Sequence, residues 1–308
     1  MTTHVFIDGA AGTTGLEIHE RLANRADLVL IRLDEVQRKS DLARRDAINS
    51  ADLVILCLPD DAARAAVAMI DNAHTRVIDA STAHRVAPGW TYGFPEISGS
   101  GLVAQARFVS NPGCYPTGFI ALVAPLLRYG LIDVAARLAC DAVSGYSGGG
   151  RAMIAAYEGQ ERAFAWSSYG LSLDHKHVPE MRKHAGLTHA PLFTPAVVNT
   201  YRGMIVNVSL TDTVLENGVC ADDIRAAYQA TFGESVIVRR IAHWPATSLP
   251  VEHAAGRDTM DIFLFENPDL GQIRLVAALD NLGKGAAGAA VQNLNIMLGF
   301  DEGLGLRI

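Results

Sequence analysis

The chain has no basic run. Its 33 acidic and 26 basic residues leave a net charge of −7 and a pI near 5.8. That balance argues against a nucleic-acid partner and against an anionic membrane surface, both of which call for clustered Lys and Arg. No apolar stretch approaches the roughly 18 residues of a membrane span, so none is expected. The opening MTTHVFIDGAAG has neither a basic n-region nor a long apolar h-region, and no signal peptide is expected there. The four cysteines, Cys57, Cys114, Cys140 and Cys220, are scattered with no CxxC pair, which fits a reducing cytoplasm. Cys57 and Cys140 lie in apolar runs and read as core. Internal repeats and low-complexity linkers are absent too.

What is present fits an α/β protein of two domains. The 308 residues are 49% apolar, enough for a sizeable core. Strand-like runs at His4–Asp8, Leu28–Leu33, Asp52–Pro59 and Arg76–Asp79 alternate with helical periodicity at Leu16–Leu22 and Asp60–Ile70. This alternation predicts a Rossmann-type, doubly wound parallel sheet. After Gly130 the pattern changes. Strands are predicted at 137–144, 204–210, 235–239, 260–265 and 272–278, several alternating in polarity as antiparallel strands do, with a helix at 221–232 and a flexible glycine loop at 145–151. We therefore place a dinucleotide-binding domain at 1–113 and an α+β catalytic and oligomerisation domain at 114–284. The closing helix, 285–308, is expected to pack back onto the first domain.

Gly9, Gly12 and Gly15, with Thr13 and Thr14 between them, follow a strand and open a helix. Such a turn lets backbone amides approach a pyrophosphate at a helix N-terminus, although the spacing is GxxGxxG rather than GxGxxG. It predicts a dinucleotide cofactor. The pattern leaves NAD and NADP both open: Asp34 would hold a ribose diol, whereas Arg38 and Lys39 would hold a 2′-phosphate.

Two segments carry chemistry. Cys114 sits in SNPGCYPTG, where Asn111-Pro112-Gly113 reads as a tight turn and Phe119–Leu127 as a helix with Pro116 in its first turn. A thiol at a helix N-terminus feels the positive end of the dipole, which favours the nucleophilic thiolate. In DHKHVPE, Pro179 fits the first position of a short helix and Gly186 its end, so His175 and His177 lie in the entering segment. If that segment is extended, both rings share one face, and an imidazole is the natural proton carrier near neutrality. HxH supplies two metal ligands and no third stands nearby, so no metal is expected.

Together DGAAGTTG, CLPDDAAR, DASTAHR, YGFPE, SNPGCYPTG, SGYSGGGR, HKHVPE and DNLGKGAAGAAVQNLN, in order along the chain, resemble the shorter form of the N-acetyl-γ-glutamyl-phosphate reductases. The resemblance implies an arginine-pathway enzyme with an aspartate-semialdehyde-dehydrogenase-like fold. NADP becomes the implied cofactor and a small-molecule acyl phosphate the substrate. In the implied reaction the Cys114 thiolate displaces phosphate to form a thioester, which hydride reduces to the aldehyde, with His177 or His175 moving the proton. Asn111 is a candidate oxyanion donor. Arg85 is a candidate for phosphate and Arg151 for phosphate or the substrate carboxylate. Glu96 is placed as a hydrogen-bonding residue of the floor, and Asn281 and Lys284 at the nicotinamide end. Apart from the resemblance, the apolar strands of the second domain suggest a sheet face that needs covering, so a homodimer or homotetramer is expected. At Pro195-Ala196-Val197-Val198 the resemblance instead implies a glycine-containing turn. Two alternatives fit the same residues: a reductase of aspartyl or carrier-bound aminoadipyl phosphate, and a non-catalytic NADP-binding sensor.

Overall fold

In the computed structural model, which describes residues 2–159 and 164–308, the chain divides into two units. The first joins the residues up to Pro112 to Ala286–Leu306. It contains β1 (Thr3–Asp8), α1 (Thr13–Leu22), β2 (Leu28–Ile31), α2 (Asp41–Ser50), β3 (Leu53–Leu56), α3 (Asp60–Ala68), β4 (Arg76–Asp79), β5 (Thr91–Tyr92), α4 (Pro95–Ser98), α5 (Ser100–Gln105) and β6 (Phe108–Ser110). The helix Gly288–Leu298 completes it from the far end of the chain.

All six strands are parallel, in the order β2-β1-β3-β4-β6-β5. A parallel strand is covered on both faces, so its sequence reads as an unbroken apolar run. Val5, Ile7, Leu53, Ile55 and Ile78 face a layer holding Ile18 and Leu22 of α1 and Val291 and Leu294 of the closing helix. Phe6, Val54, Leu56 and Val77 face Ala47 and Ile48 of α2 and Ala63 and Ala66 of α3. Each such aliphatic side chain contributes about 1.5–3 kcal/mol by leaving water. The closing helix therefore serves as a layer of the doubly wound sheet that the alternation predicted.

The second unit comprises Gly113–Gly285 with Arg307–Ile308. It contains α6 (Cys114–Arg128), β7 (Ala139–Gly145), α7 (Gly150–Glu158), β8 (Trp166–Ser168), α8 (Val178–Ala185), β9 (Leu192–Val198), β10 (Met204–Thr211), α9 (Ala221–Phe232), β11 (Val238–Ile241), β12 (Met260–Asn267) and β13 (Gln272–Leu279). These strands form one sheet in the order β11-β12-β13-β10-β7-β9-β8. The sheet is mixed, because β11–β12 and β7–β9 pair in parallel. Its inner face carries α6 and α9. Gly118 is what lets α6 approach, since a Cβ there would meet Val206 at 2.7 Å. The Tyr228 hydroxyl donates to the Leu122 carbonyl at 2.8 Å and ties the two helices together.

Four local expectations are corrected. The strand placed at 235–239 begins only at Val238. The glycine segment 145–151 is a 3-10 turn over Tyr146–Gly149 running into α7. Pro179 is the second residue of α8, behind Val178. Pro195–Val198 is the end of β9 and not a turn. Pro195 is tolerated in β9 because it lies beyond the last residue paired to β8, where only its carbonyl is used, accepting from Tyr169 N–H at 3.1 Å.

Among the described residues, no helix is long and apolar enough to cross a membrane.

Candidate active site and cofactor turn

Cys114 is the first residue of α6, behind Gly113 in extended conformation (φ −73°, ψ 152°). The first turn of α6 carries no acidic residue of its own. The other three thiols stand differently. Burial pushes the Cys57 thiol up to about 12, with Asp79 and Asp8 adding to the effect, and burial pushes Cys140 up further. Cys220 also sits at a helix start, but with Asp222 and Asp223 in the same first turn.

The residue after Cys114 gathers the rest of this candidate site. The ring of Tyr115 lies 6.0 Å from that of His177 and 6.4 Å from that of His175. Its hydroxyl donates to the Ala196 carbonyl at 3.1 Å and accepts from the Tyr169 hydroxyl at 3.0 Å. Burial holds both phenols above their usual range, and charge on Cys114 adds to the shift at each. The thiol, two phenols and two imidazoles thus form one neighbourhood.

The histidines do not come together through an extended segment. His175 and His177 stand in a turn, closed by Val178 N–H donating to the His175 carbonyl at 2.9 Å, and His177 is the N-cap of α8 with helical dihedrals. Their rings are 4.7 Å apart. The His177 backbone N–H donates to His175 Nδ1 at 3.2 Å, which assigns neutral His175 the tautomer protonated at Nε2. Burial and the neighbouring Lys176 lower the His175 pKa, partly offset by Asp174. His177 is 7% exposed.

Glu180, three residues along α8, is 1% exposed and accepts the Gly113 N–H at 2.8 Å. The turn 280–285 also lies next to Cys114. A Cβ on Gly285 would stand 2.9 Å from that of Cys114. In this turn Asn281 donates to Ser147 Oγ at 2.8 Å and accepts from Gly203 N–H at 3.0 Å. Lys284 is 1% exposed and lies in a π-turn, Gly283–Ala287. Arg151 is exposed at the start of α7.

In the first unit the glycine turn is tightly built. Gly9 has φ +87°, and Gly12 N–H donates to its carbonyl at 2.9 Å. Gly12 is the N-cap of α1, with Thr13 and Thr14 its first two residues, so their amides lie among the free donors of the helix N-terminus. Beside the turn is a cleft lined by Asp8, Gly9, Ala10, His19, Leu30, Ile31, Arg32, Leu33 and Arg38, among others. Arg38 lines it; Lys39, exposed in the same 3-10 turn, does not. The Asp34 carboxylate accepts from its own turn, at Val36 N–H (2.9 Å) and Gln37 N–H (2.8 Å).

Three more predicted residues lie within this unit. Arg85 is buried and donates to the Asn111 carbonyl at 2.9 Å and the Ala80 carbonyl at 3.0 Å. The Asn111 amide donates to the Ala286 carbonyl at 2.9 Å and accepts from Asn293 at 3.1 Å. Glu96 accepts from Gln292 of the closing helix at 3.0 Å. Among the described residues, no three His, Cys, Asp or Glu side chains are grouped to hold a metal ion.

Two families match along the chain: the semialdehyde dehydrogenase NAD-binding domain over residues 4–104, and the semialdehyde dehydrogenase dimerisation domain over 114–281. Whole-chain relatives decide the finer family. The chain is 48% identical to N-acetyl-γ-glutamyl-phosphate reductase 2 of Pseudomonas putida, over 97% of each. It is 47% identical to the reductase of Rhizobium rhizogenes, over 97% of this chain and 99% of that one, and 44% identical to that of Trichormus variabilis, over 98% of each. The chain belongs to the N-acetyl-γ-glutamyl-phosphate reductases. It is thus an oxidoreductase of the semialdehyde dehydrogenase type with a nicotinamide-binding domain. Aspartate semialdehyde dehydrogenase II of Vibrio cholerae shares its fold, with a TM-score of 0.72 at 18% identity over 97% of this chain and 99% of that one.

For a reductase of this family, sequence reasoning missed four polar residues of these two sites. Arg32 and His19 line the cleft, and Tyr169 and Glu180 stand beside the Cys114 turn. A lone arginine at a strand end leaves no spacing signal. Glu180 stood within HKHVPE, yet only the folded chain shows it reaching Gly113.

Proposed function

We propose that this reductase converts N-acetyl-γ-glutamyl phosphate to N-acetylglutamate 5-semialdehyde with release of phosphate, a step of arginine biosynthesis, through a thioester on Cys114. The observation that carries this reading is Cys114 itself: it opens α6 among Tyr115, Tyr169, His175 and His177, in a chain whose end-to-end relatives bear that name. The test is the reverse assay, in which the semialdehyde and phosphate together should reduce NADP. Aspartate semialdehyde as the better substrate would refute the assignment, and NADP binding without turnover would favour the sensor.

Cys114 supplies the electron pair. Its sulfur bonds to the acyl carbon, the carbon–oxygen bond to phosphate breaks, and phosphate leaves. His177 takes the thiol proton and passes it to the departing phosphate. We assign this to His177 because His175 Nδ1 already accepts a backbone N–H and its pKa is lowered, so His175 is a poor cation. Gly9, Gly12 and Gly15, with the amides of Thr13 and Thr14, would hold the pyrophosphate of a reduced nicotinamide cofactor, which would supply the hydride that reduces the thioester. The carbon–sulfur bond then breaks, the aldehyde forms, and the thiolate regains a proton from solvent through His177. That accounts for the one proton consumed per turnover. The backbone amides of the α6 N-terminus serve as oxyanion donors, because the Asn111 amide is committed to Ala286 and Asn293.

Arg151, exposed at the start of α7, is proposed to meet a phosphate or carboxylate of the substrate. Arg85 and Glu96 hold the first unit's own loops through the bonds described above. Asn281 and Lys284 shape the turn against Cys114.

The glycine turn fits a dinucleotide, and the cleft beside it favours NADP. Arg32 and Arg38 line it, whereas the carboxylate expected to hold a ribose diol, Asp34, is occupied by its own turn. Replacing Arg32 and Arg38 together by alanine is expected to raise KM for NADPH by at least about 100-fold, from two charged hydrogen bonds of about 1.5–3 kcal/mol each. KM for NADH should stay within about threefold. An equal loss with both cofactors would refute the 2′-phosphate assignment.

The enzyme is also proposed to be a homo-oligomer, dimer or tetramer, joined through the β8 edge of its second unit. Trp166 on that outermost strand is 59% exposed, and Leu171 and Leu173 in the turn that follows are 80% and 59% exposed. Leu173 has φ +64°, a left-handed conformation that disfavours leucine. A Trp166→Glu, Leu171→Glu variant is expected to sediment as monomer, and an unchanged mass would place the contact elsewhere.

A further inference from the structure

We propose that Glu180 is a positioning residue whose carboxylate ties the helix capped by His177 to the turn presenting Cys114. The inference rests on the reading that these two residues act as a pair. Its basis is a buried bond, from Gly113 N–H to Glu180 Oε1 at 2.8 Å, with Glu180 1% exposed. Burying a carboxylate is costly unless it is hydrogen-bonded, and packing alone would be served by an apolar residue. Gly113 has no side chain with which to cap α6, and no side chain bonds from its N-cap position into the first turn.

The covalent path from this bond to each reacting group is short. On one side Gly113 is bonded to Cys114. On the other, Glu180 is the third helical residue behind the N-cap His177, and residues three apart lie on one side of a helix. Pro179 stiffens the link, and the turn at Val178 N–H and His175 Nδ1 fixes the strand of chain before it. A movement of the Glu180 carboxylate relative to Gly113 therefore moves His177 relative to Cys114. A misplacement of about 1 Å can reduce turnover about 100-fold.

Two variants separate the bond from the charge. Glu180→Gln keeps the length and an acceptor oxygen but loses the charge. Glu180→Asp keeps the charge and is one methylene too short. As a tether, Glu180 predicts that Gln retains kcat within about threefold while Asp loses at least about tenfold, with KM for both substrates within about threefold in each. The pH profile of Cys114 alkylation by iodoacetamide is the readout that a purely stabilising residue would not move. Its midpoint should rise towards the free-thiol value of about 8.5 in the Asp variant and not in the Gln variant. Asp equal to or better than Gln, equal damage in both, or no damage in either overturns the tether. Should the Asp variant fail to fold, the Gln variant decides: a midpoint that rises overturns the proposal, and one that stays or falls supports it. The pairing itself fails by a different result, turnover surviving in Cys114→Ala.

Discussion

Replacing Cys114 by alanine should lower turnover by about 10³-fold or more while NADPH affinity stays within about twofold of wild type. The size follows from the thiol's part in the proposed path: without sulfur there is no thioester, and hydride would have to reach the acyl phosphate directly. The unchanged affinity follows from the fold, since the glycine turn and its cleft belong to the other unit. Serine is expected to rescue little, because an alcohol lacks the acidity that a helix N-terminus can exploit in a thiol. Labelling gives a second reading of the same residue. Near pH 7 iodoacetamide should modify Cys114 first and exposed Cys220 more slowly. It should leave Cys57 and Cys140 untouched, since burial keeps both protonated. Robust turnover in the alanine variant would sink the covalent mechanism outright.

What could be read in advance followed from local physics. The strand Arg76–Asp79 and the helix Ala221–Phe232 have the predicted limits, because an apolar run between polar ends and a 3.6-residue period are local signals. Cys114 was legible for the same reason, as a turn followed by a helix. Three features were not. The helix Asp41–Ser50 buries only Ala47 and Ile48 on a highly charged stretch, so its period is hidden. The glycines at 148–150 suggested a flexible loop, yet Ser147 is pinned by Asn281, 134 residues away. The region Pro195–Val198 is a strand because β7 lies beside it in parallel, a pairing no local pattern announces. Tyr169 and Glu180, missed beside the Cys114 turn, share this character, as each reaches its place through a contact between distant segments.

The three glycines of the cofactor turn looked equivalent in sequence and are not equivalent in space, which gives the second large effect. A Cβ on Gly15 would lie 2.4 Å from the Gly9 carbonyl oxygen and 2.8 Å from Ala10 Cα. Both are backbone atoms, so the start of α1 would have to move away from the turn. A Cβ on Gly12 would meet its nearest neighbour at 3.4 Å, and Gly12 has an ordinary φ of −74°. Gly15→Ala is therefore expected to cost about 1–3 kcal/mol of stability by overpacking and to weaken NADPH binding at least about tenfold, because the amides of Thr13 and Thr14 move with the helix. Gly12→Ala should stay within about 0.5 kcal/mol of wild type in stability. Thermal melts with and without NADPH measure both terms, since a ligand that binds only the folded chain raises its apparent stability in proportion to the logarithm of its concentration over Kd. A Gly15→Ala protein that melts lower but gains the full wild-type shift from NADPH would show that the pyrophosphate is held elsewhere. Loss of that shift, with Gly12→Ala keeping its fold, would show that close approach of helix to turn is what the third glycine provides.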